Sequence, residues 1–256
     1  MPFDIPLEYL LLGLAALLAG LVDAVVGGGG LIQIPALLSA FPQTAIPTLF
    51  GTNKVSSIAG TGTSLWRYMR TVKMPWAVVL PATLAALPGA AAGAALVAWL
   101  PRESMRPLIV VLMAVVAVYT FWRKDMGQVS QHQPSRWDRW KGAALGGTIG
   151  LYDGFFGPGT GSFLIFGFVR GFGMDFVQAS AGAKMVNFAT NLSAIAMFAS
   201  HGPILWPLGL SMAACNIVGA QIGTHLALKR GAGFVRQLFL VVVVLLLSKQ
   251  AWDLLR

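Results

Sequence analysis

Charge is scarce in this chain. Of 256 residues only 11% are Asp, Glu, Lys or Arg, while 56% are hydrophobic; a water-soluble domain carries about 25% charged residues. Such a chain cannot clothe its surface in polar groups, which excludes an ordinary soluble globular protein and makes lipid the expected solvent. Cysteine is nearly absent: Cys215 stands alone, which excludes a disulfide framework and a thiolate metal site. Histidine is as sparse, and His132, His201 and His225 have no metal-ligand spacing. No cofactor is therefore expected. Acidic residues number 9 against 18 basic ones. That excess could suit nucleic acid, but the basic residues sit mostly in short connections between apolar segments, the pattern of membrane topology. The opening stretch, MPFDIPLEYLLLGLAALLAG, has no Lys or Arg before its apolar run and is expected to be a retained transmembrane helix rather than a signal peptide.

What is abundant is apolar sequence in long runs, at 5–26, 46–68, 75–99 and 105–122, and again at 142–156, 176–200, 204–228 and 234–254. Two shorter pieces, 31–42 and 161–172, follow the first member of each set; a full span needs about 20 residues, so each is short of one. The polar stretch RKDMGQVSQHQPSRWDRWK, 123–141, divides an N-terminal membrane repeat, 1–122, from a C-terminal one, 142–256. Tryptophans near predicted segment ends, Trp66, Trp76, Trp99, Trp122, Trp206 and Trp252, fit an interfacial belt.

Shifted by 130 positions, the halves align without a gap. Asp23, Gly27 and Gly29 meet Asp153, Gly157 and Gly159; Lys54 meets Lys184; Trp76 meets Trp206; Gly89 and Gly93 meet Gly219 and Gly223; Arg106 meets Arg236. Matched Asp, Lys, Trp and Arg at one offset mark an internal duplication, typical of secondary transporters. The Gly-x-x-x-Gly pairs at 89/93 and 219/223 should let helices approach closely. If the short pieces cross, Arg67, Arg70, Lys73, the linker bases, Arg170, Lys229, Arg230 and Arg236 fall on one side, leaving Arg102, Arg106, Lys249 and Arg256 on the other. The positive-inside rule prefers this split over the more even one given by non-crossing pieces. The expected fold is an all-α polytopic membrane protein of two inverted repeats of about five segments, with broken or short helices at the Gly-rich motifs, the linker cytoplasmic and both termini periplasmic.

The chemistry centres on a charge in a greasy place. Lys54, in GTNKVSSIAGTGTS, lies about eight residues into its segment, too deep to snorkel to the interface. A lysine at mid-membrane costs about 2.5–3.5 kcal/mol on insertion scales and is kept when it faces a cavity or a partner. Ser57 and Thr61 share its face at i+3 and i+7; Asn187 and Asn191 stand at the same offsets from Lys184. Each lysine could serve an anion pathway or pair with an aspartate inside the bundle. Asp23 and Asp153 each precede a glycine-rich break, DAVVGGGGLIQIP and DGFFGPGTGSFLI. Glycine admits backbone close to a ligand, and N–H groups of a helix starting after the break favour an anion. Backbone near Gly29 and Gly159, with the hydroxyls of Thr160 and Ser162, joins the lysines and amides as the expected anion site, the lysines supplying a positive field. Asp23 and Asp153 are the candidates for proton coupling. No Gly-Lys-Ser/Thr follows either break, so neither is a nucleotide loop.

The stretches GGGGLIQIP, GTNK, YDGFFGPGTGSF and AGAKMVNFATN resemble the sulfite exporter TauE/SafE family of membrane permeases, particularly its YfcA-type bacterial members, over nearly the whole chain. The resemblance implies a secondary transporter of the bacterial inner membrane that handles sulfite or organosulfur anions such as sulfoacetate. Expected partners are a small anion and the bilayer, with no nucleic acid; a homo-oligomer is left open. The alternatives are an uncoupled anion channel, which needs no carboxylates, and a membrane-embedded enzyme, for which Ser162 is the nearest nucleophile and no histidine lies at matching depth.

Overall fold

A computed structural model of the chain describes residues 7–100, 102–122 and 135–230. Within them lie nine α-helices and no strand: α1 (Leu7–Val26), α2 (Gly30–Ala40), α3 (Ile46–Thr71), α4 (Trp76–Trp99), α5 (Arg102–Trp122), α6 (Asp138–Phe155), α7 (Thr160–Phe172), α8 (Phe176–His201) and α9 (Trp206–Arg230). The predicted segment at 234–254, the termini and most of the linker lie outside the described residues. The expected linker is shorter than the polar composition suggests, because α6 begins at Asp138. The Asp138 carboxylate reaches back to accept the Ser135 N–H at 2.9 Å, fastening the chain that enters the helix four residues before the apolar run starts. Asp175 caps α8 itself, accepting the Gln178 N–H at 2.8 Å.

At 1.5 Å per residue, the 26 residues of α3 and of α8 each reach about 39 Å, longer than a bilayer core of ~30 Å. The 11 residues of α2 and the 13 of α7 reach only about 16 and 20 Å. By length and hydropathy Leu7–Val26 and Trp76–Val97 qualify as membrane spans among the described residues. The helices α3 and α8 are apolar outside but bury Thr52, Asn53, Lys54, Ser56, Lys184, Asn187, Thr190 and Asn191 inside. Outward, Leu10, Leu14, Leu84, Leu192 and Leu210 are each more than half exposed, the surface of a bundle whose solvent is hydrocarbon.

Close contacts fix the direction of the helices. Leu17 and Leu21 of α1 meet Gly219 and Gly223 of α9; Gly51 of α3 meets Ile204, just before α9, and Val55 and Gly60 meet Gly209 and Asn216 of α9. Contacting positions rise together, so α1, α3 and α9 run in one sense. Ala82, Ala86 and Ala90 of α4 likewise meet Gly146, Gly150 and Gly154 of α6, and Val79 of α4 meets Gly182 of α8 while the Leu87 carbonyl of α4 accepts from Ser193 of α8. Hence α4, α6 and α8 share a sense. It opposes the first, because Gly51 meets Phe198 while Gly62 meets Phe188. The helix α1 thus opposes α6, its counterpart at the 130-residue offset. Since α1 and α3 point the same way, the chain between them, α2 included, returns to the end where α1 began.

Each half packs its own fourth helix against the other half's first. A Cβ at Gly219 would stand 1.9 Å from the Leu17 carbonyl oxygen, and one at Gly93 2.1 Å from that of Leu151. Only glycine permits such backbone contact, so the two Gly-x-x-x-Gly pairs do pack helices as their spacing suggests. The helix α5 adds the buried apolar row Met105, Ile109, Met113 and Val116 to the core of the first half.

Candidate functional site

The two broken helices meet in the middle of the bundle. After α1 the chain turns at Gly27 (φ 77°), and after α6 at Gly157 and Gly159 (φ 92° and 82°), conformations that L side chains rarely adopt. Gly27 lies so close to Gly161 that a Cβ on either would be 2.4 Å from the other's Cα. The breaks are therefore packed backbone to backbone. This frees carbonyl groups that need donors away from water. Ser162 donates to the Val26 carbonyl, Thr160 to that of Gly157 at 2.7 Å, and Tyr152 to that of Pro158 at 2.6 Å.

Beside the breaks lie two buried ion pairs. Lys54 Nζ is 2.6 Å from Asp153 Oδ2, each side chain 5% exposed. Lys184 Nζ is 2.8 Å from Asp23 Oδ2, with side-chain exposures of 0% and 20%, and it also donates to the Asp23 backbone carbonyl. The Thr61 hydroxyl stands 3.5 Å from the same Asp23 oxygen. Each pair takes its lysine from one half and its aspartate from the other. The pairing open to the lysines on sequence grounds is thus realised, and the pairs also border a cavity. It is lined by Asp23, Lys54, Ser57, Thr61, Asp153, Asn187 and Asn191, with Asn53 and the backbone of Gly27, Gly30, Gly157 and Gly161. Its volume is about 30 Å³, room for about two waters at the ~10–15 Å³ that each needs.

The cavity is polar and under-satisfied. Asn53 and Asn187 are almost wholly buried, and their Oδ1 atoms have no hydrogen-bond partner. A buried amide left so costs about 1–3 kcal/mol unless water or a ligand engages it. Each amide carries both a donor and an acceptor, so these groups can serve either need of a ligand. Thr61, which touches Asp23, is seven residues beyond Lys54, about 10 Å along α3. Both ion pairs border the cavity, the first through Lys54 and Asp153 and the second through Asp23.

Several expectations change. Lys54, Ser57, Thr61, Asn187, Asn191, Asp23 and Asp153 come together as their spacing predicts. Gly29, Gly159, Thr160 and Ser162 sit at the breaks but do not line the cavity; the two hydroxyls serve the freed carbonyls, and Gly27, Gly30, Gly157 and Gly161 take the lining positions. The lysines do not present a bare positive field, since two carboxylates offset two ammonium groups. Asn53 escaped the sequence reading; its signal was its place beside Lys54 in GTNK, four residues before Ser57 and so on a shared face.

Comparison with known proteins fits this geometry. A model of the family described as "Sulfite exporter TauE/SafE" matches residues 12–249. The chain is 37% identical over 235 residues to "Probable membrane transporter protein ORF9" of Sinorhizobium sp, covering 91% of this chain and 88% of that protein. It is 29% identical over 247 residues to "Probable membrane transporter protein YfcA" of Escherichia coli strain K12, covering 95% and 91%. It is 30% identical over 241 residues to a "Probable membrane transporter protein" of Haemophilus influenzae, covering 92% and 91%. No solved structure matches the chain significantly. This is a membrane-embedded transporter rather than an enzyme, and it belongs to the sulfite exporter TauE/SafE family.

Proposed function

We propose that this protein carries compact oxyanions of the sulfite kind, and organosulfur anions such as sulfoacetate, across the bacterial inner membrane by proton-coupled alternating access. The observation that carries the reading is the small polar cavity lined by Lys54, Asp153 and Asp23, where the side-chain oxygens of buried Asn53 and Asn187 lack partners. An anion entering it must lose water, and charge-assisted hydrogen bonds offset that loss. When the anion takes over a lysine, the carboxylate left behind is a buried charge without a partner. Uptake of a proton by Asp153 or Asp23 removes that charge, so anion and proton travel together.

The repeats are read as inverted. The opposed directions of α1 and α6, and the shared direction of α1 and α3, support a chain in which the short helices complete crossings. With the basic residues gathered on one side, the linker is cytoplasmic and both termini periplasmic. A rocking motion of either repeat against the other, around the central cavity, would break the ion pairs singly rather than together.

The test is transport by purified protein in proteoliposomes. Sulfite uptake should exceed that of empty vesicles and should rise when the lumen is made alkaline relative to the outside. Uptake indifferent to the pH gradient would remove the coupling, and absence of exchange for sulfite, thiosulfate and sulfoacetate alike would remove the anion reading.

A further inference from the structure

The two ion pairs come from one duplicated motif, yet their surroundings differ. Resting on the anion reading above, we infer that they do different jobs: Lys54 is the contact for the anion, and Lys184 is a strut that holds the break after α1. Three observations separate them. First, Lys54 lines the cavity together with Asp153, whereas Lys184 is fully buried and does not reach it. Second, the hydrogen bonding of Lys54 rests on one oxygen, Asp153 Oδ2. Lys184 holds two oxygens of Asp23, and one is the backbone carbonyl that also accepts the Gly27 N–H at 3.0 Å. An anion can displace a carboxylate side chain by a rotamer change; it cannot displace a backbone carbonyl without unwinding the end of α1. A cation at that C-terminal turn also complements the helix dipole.

Third, glycine at position 157 keeps the Lys54 ammonium uncrowded. A Cβ there would press on Lys54 Nζ at 3.2 Å, whereas the equivalent place on Gly27 faces the backbone of Gly161 instead of a lysine. The unpartnered amide of Asn53 adjoins Lys54 in sequence, and Ser57 lies one turn on. The ligand class this selects is a compact oxyanion that exchanges with Asp153 at the ammonium, with amide and hydroxyl groups around its remaining oxygens.

Two neutral double variants test the division, because each removes a whole pair and leaves no orphaned charge: Lys54→Met with Asp153→Asn, and Lys184→Met with Asp23→Asn. Sulfite binding to the purified full-length protein is measured by calorimetry, and stability by thermal unfolding. The first variant should lose about tenfold or more in affinity, the worth of a charge-assisted hydrogen bond, with little change in Tm. The second should melt lower. Lys184→Arg, which leaves Asp23 at the cavity wall untouched, should bind sulfite within about threefold of the wild type. A loss of affinity in Lys184→Arg equal to that of the Lys54 double variant, or a loss in Lys184→Arg alone, would overturn the division while leaving the anion reading in place. A wild-type protein that binds none of sulfite, thiosulfate and sulfate overturns both.

Discussion

The Lys54–Asp153 and Lys184–Asp23 pairs began as the same residues at the same offset, and the fold has made them unlike. In the first, both side chains are nearly buried and both touch the cavity; in the second, the lysine is sealed and the aspartate is 20% exposed. The difference arises from the breaks. After α1, Gly27 N–H returns to the Asp23 carbonyl, as in a helix; after α6, Gly157 N–H reaches the Tyr152 carbonyl instead. The first break thus keeps the Asp23 carbonyl in place as a fixed acceptor for Lys184. The comparison also shows what duplication supplies. Each half holds a lysine whose counter-ion is in the other half, so neither half alone can bury its charges satisfied.

The largest expected effect comes from splitting a pair. Lys54→Ala leaves Asp153 buried and unpaired and should cost about 3–5 kcal/mol of stability, as removal of one partner from a buried ion pair does; Lys184→Ala leaves Asp23 without its cation but partly exposed, and should cost less. The two should then diverge on rescue. Adding Asp153→Asn to Lys54→Ala should restore most of the loss, because no charge remains. Adding Asp23→Asn to Lys184→Ala should leave about 1 kcal/mol unrecovered, because the Asp23 carbonyl still lacks one of its two donors. Denaturation of all four proteins in one detergent reads both differences, and equal rescue would make the pairs equivalent.

Much of this was legible in the chain. Helix positions follow from apolar runs, and the described helices start and end within a few residues of them, save α6, where a polar turn from Asp138 precedes the apolar run and apolar composition does not signal it. Repeat spacing put Lys54, Ser57 and Thr61 on one face, and Asn187 and Asn191 on another, since i, i+3 and i+7 are helical neighbours. Partner choice was not legible. Whether Lys54 pairs with Asp23 or Asp153 depends on how α1 and α6 lie against the other half, a matter of long-range packing. Nor could sequence tell that Thr160 and Ser162 would turn to carbonyls freed at the breaks rather than to a ligand, because the demand for donors exists only once the breaks are folded.

A middle-sized effect sharpens the comparison at the hinge. Gly27→Ala and Gly157→Ala each place a side chain at positive φ, a strain of about 1–2 kcal/mol. Gly27→Ala adds a clash with the Gly161 backbone, which cannot give way, so about 1–3 kcal/mol more is expected. At Gly157 the contacts are looser, the end of the flexible Lys54 side chain at 3.2 Å and the Asp153 carbonyl oxygen at 3.3 Å. The expected outcome is a smaller loss of stability with a weaker grip on sulfite. If Gly27→Ala instead weakens sulfite binding without lowering Tm, the hinge roles are reversed.

The smallest effect contrasts the two short helices. Both short helices close with a cap N–H bonded back into the last turn, but α7 does so at Gly173 in the left-handed region (φ 61°) and α2 at Phe41 with a negative φ (−125°). Gly171, inside that last turn, has open space where a Cβ would go and no positive φ. Gly171→Ala should therefore raise stability by about 0.5–1 kcal/mol, through a less flexible unfolded chain and better helix propensity. Stability and transport rate should be measured on the same preparation. A higher Tm with unchanged sulfite exchange means that α7 moves as a rigid rod about Gly157 and Gly159. A higher Tm with slower exchange means that its last turn must loosen during transport, and the motion of the second half is then internal to α7 rather than confined to the break.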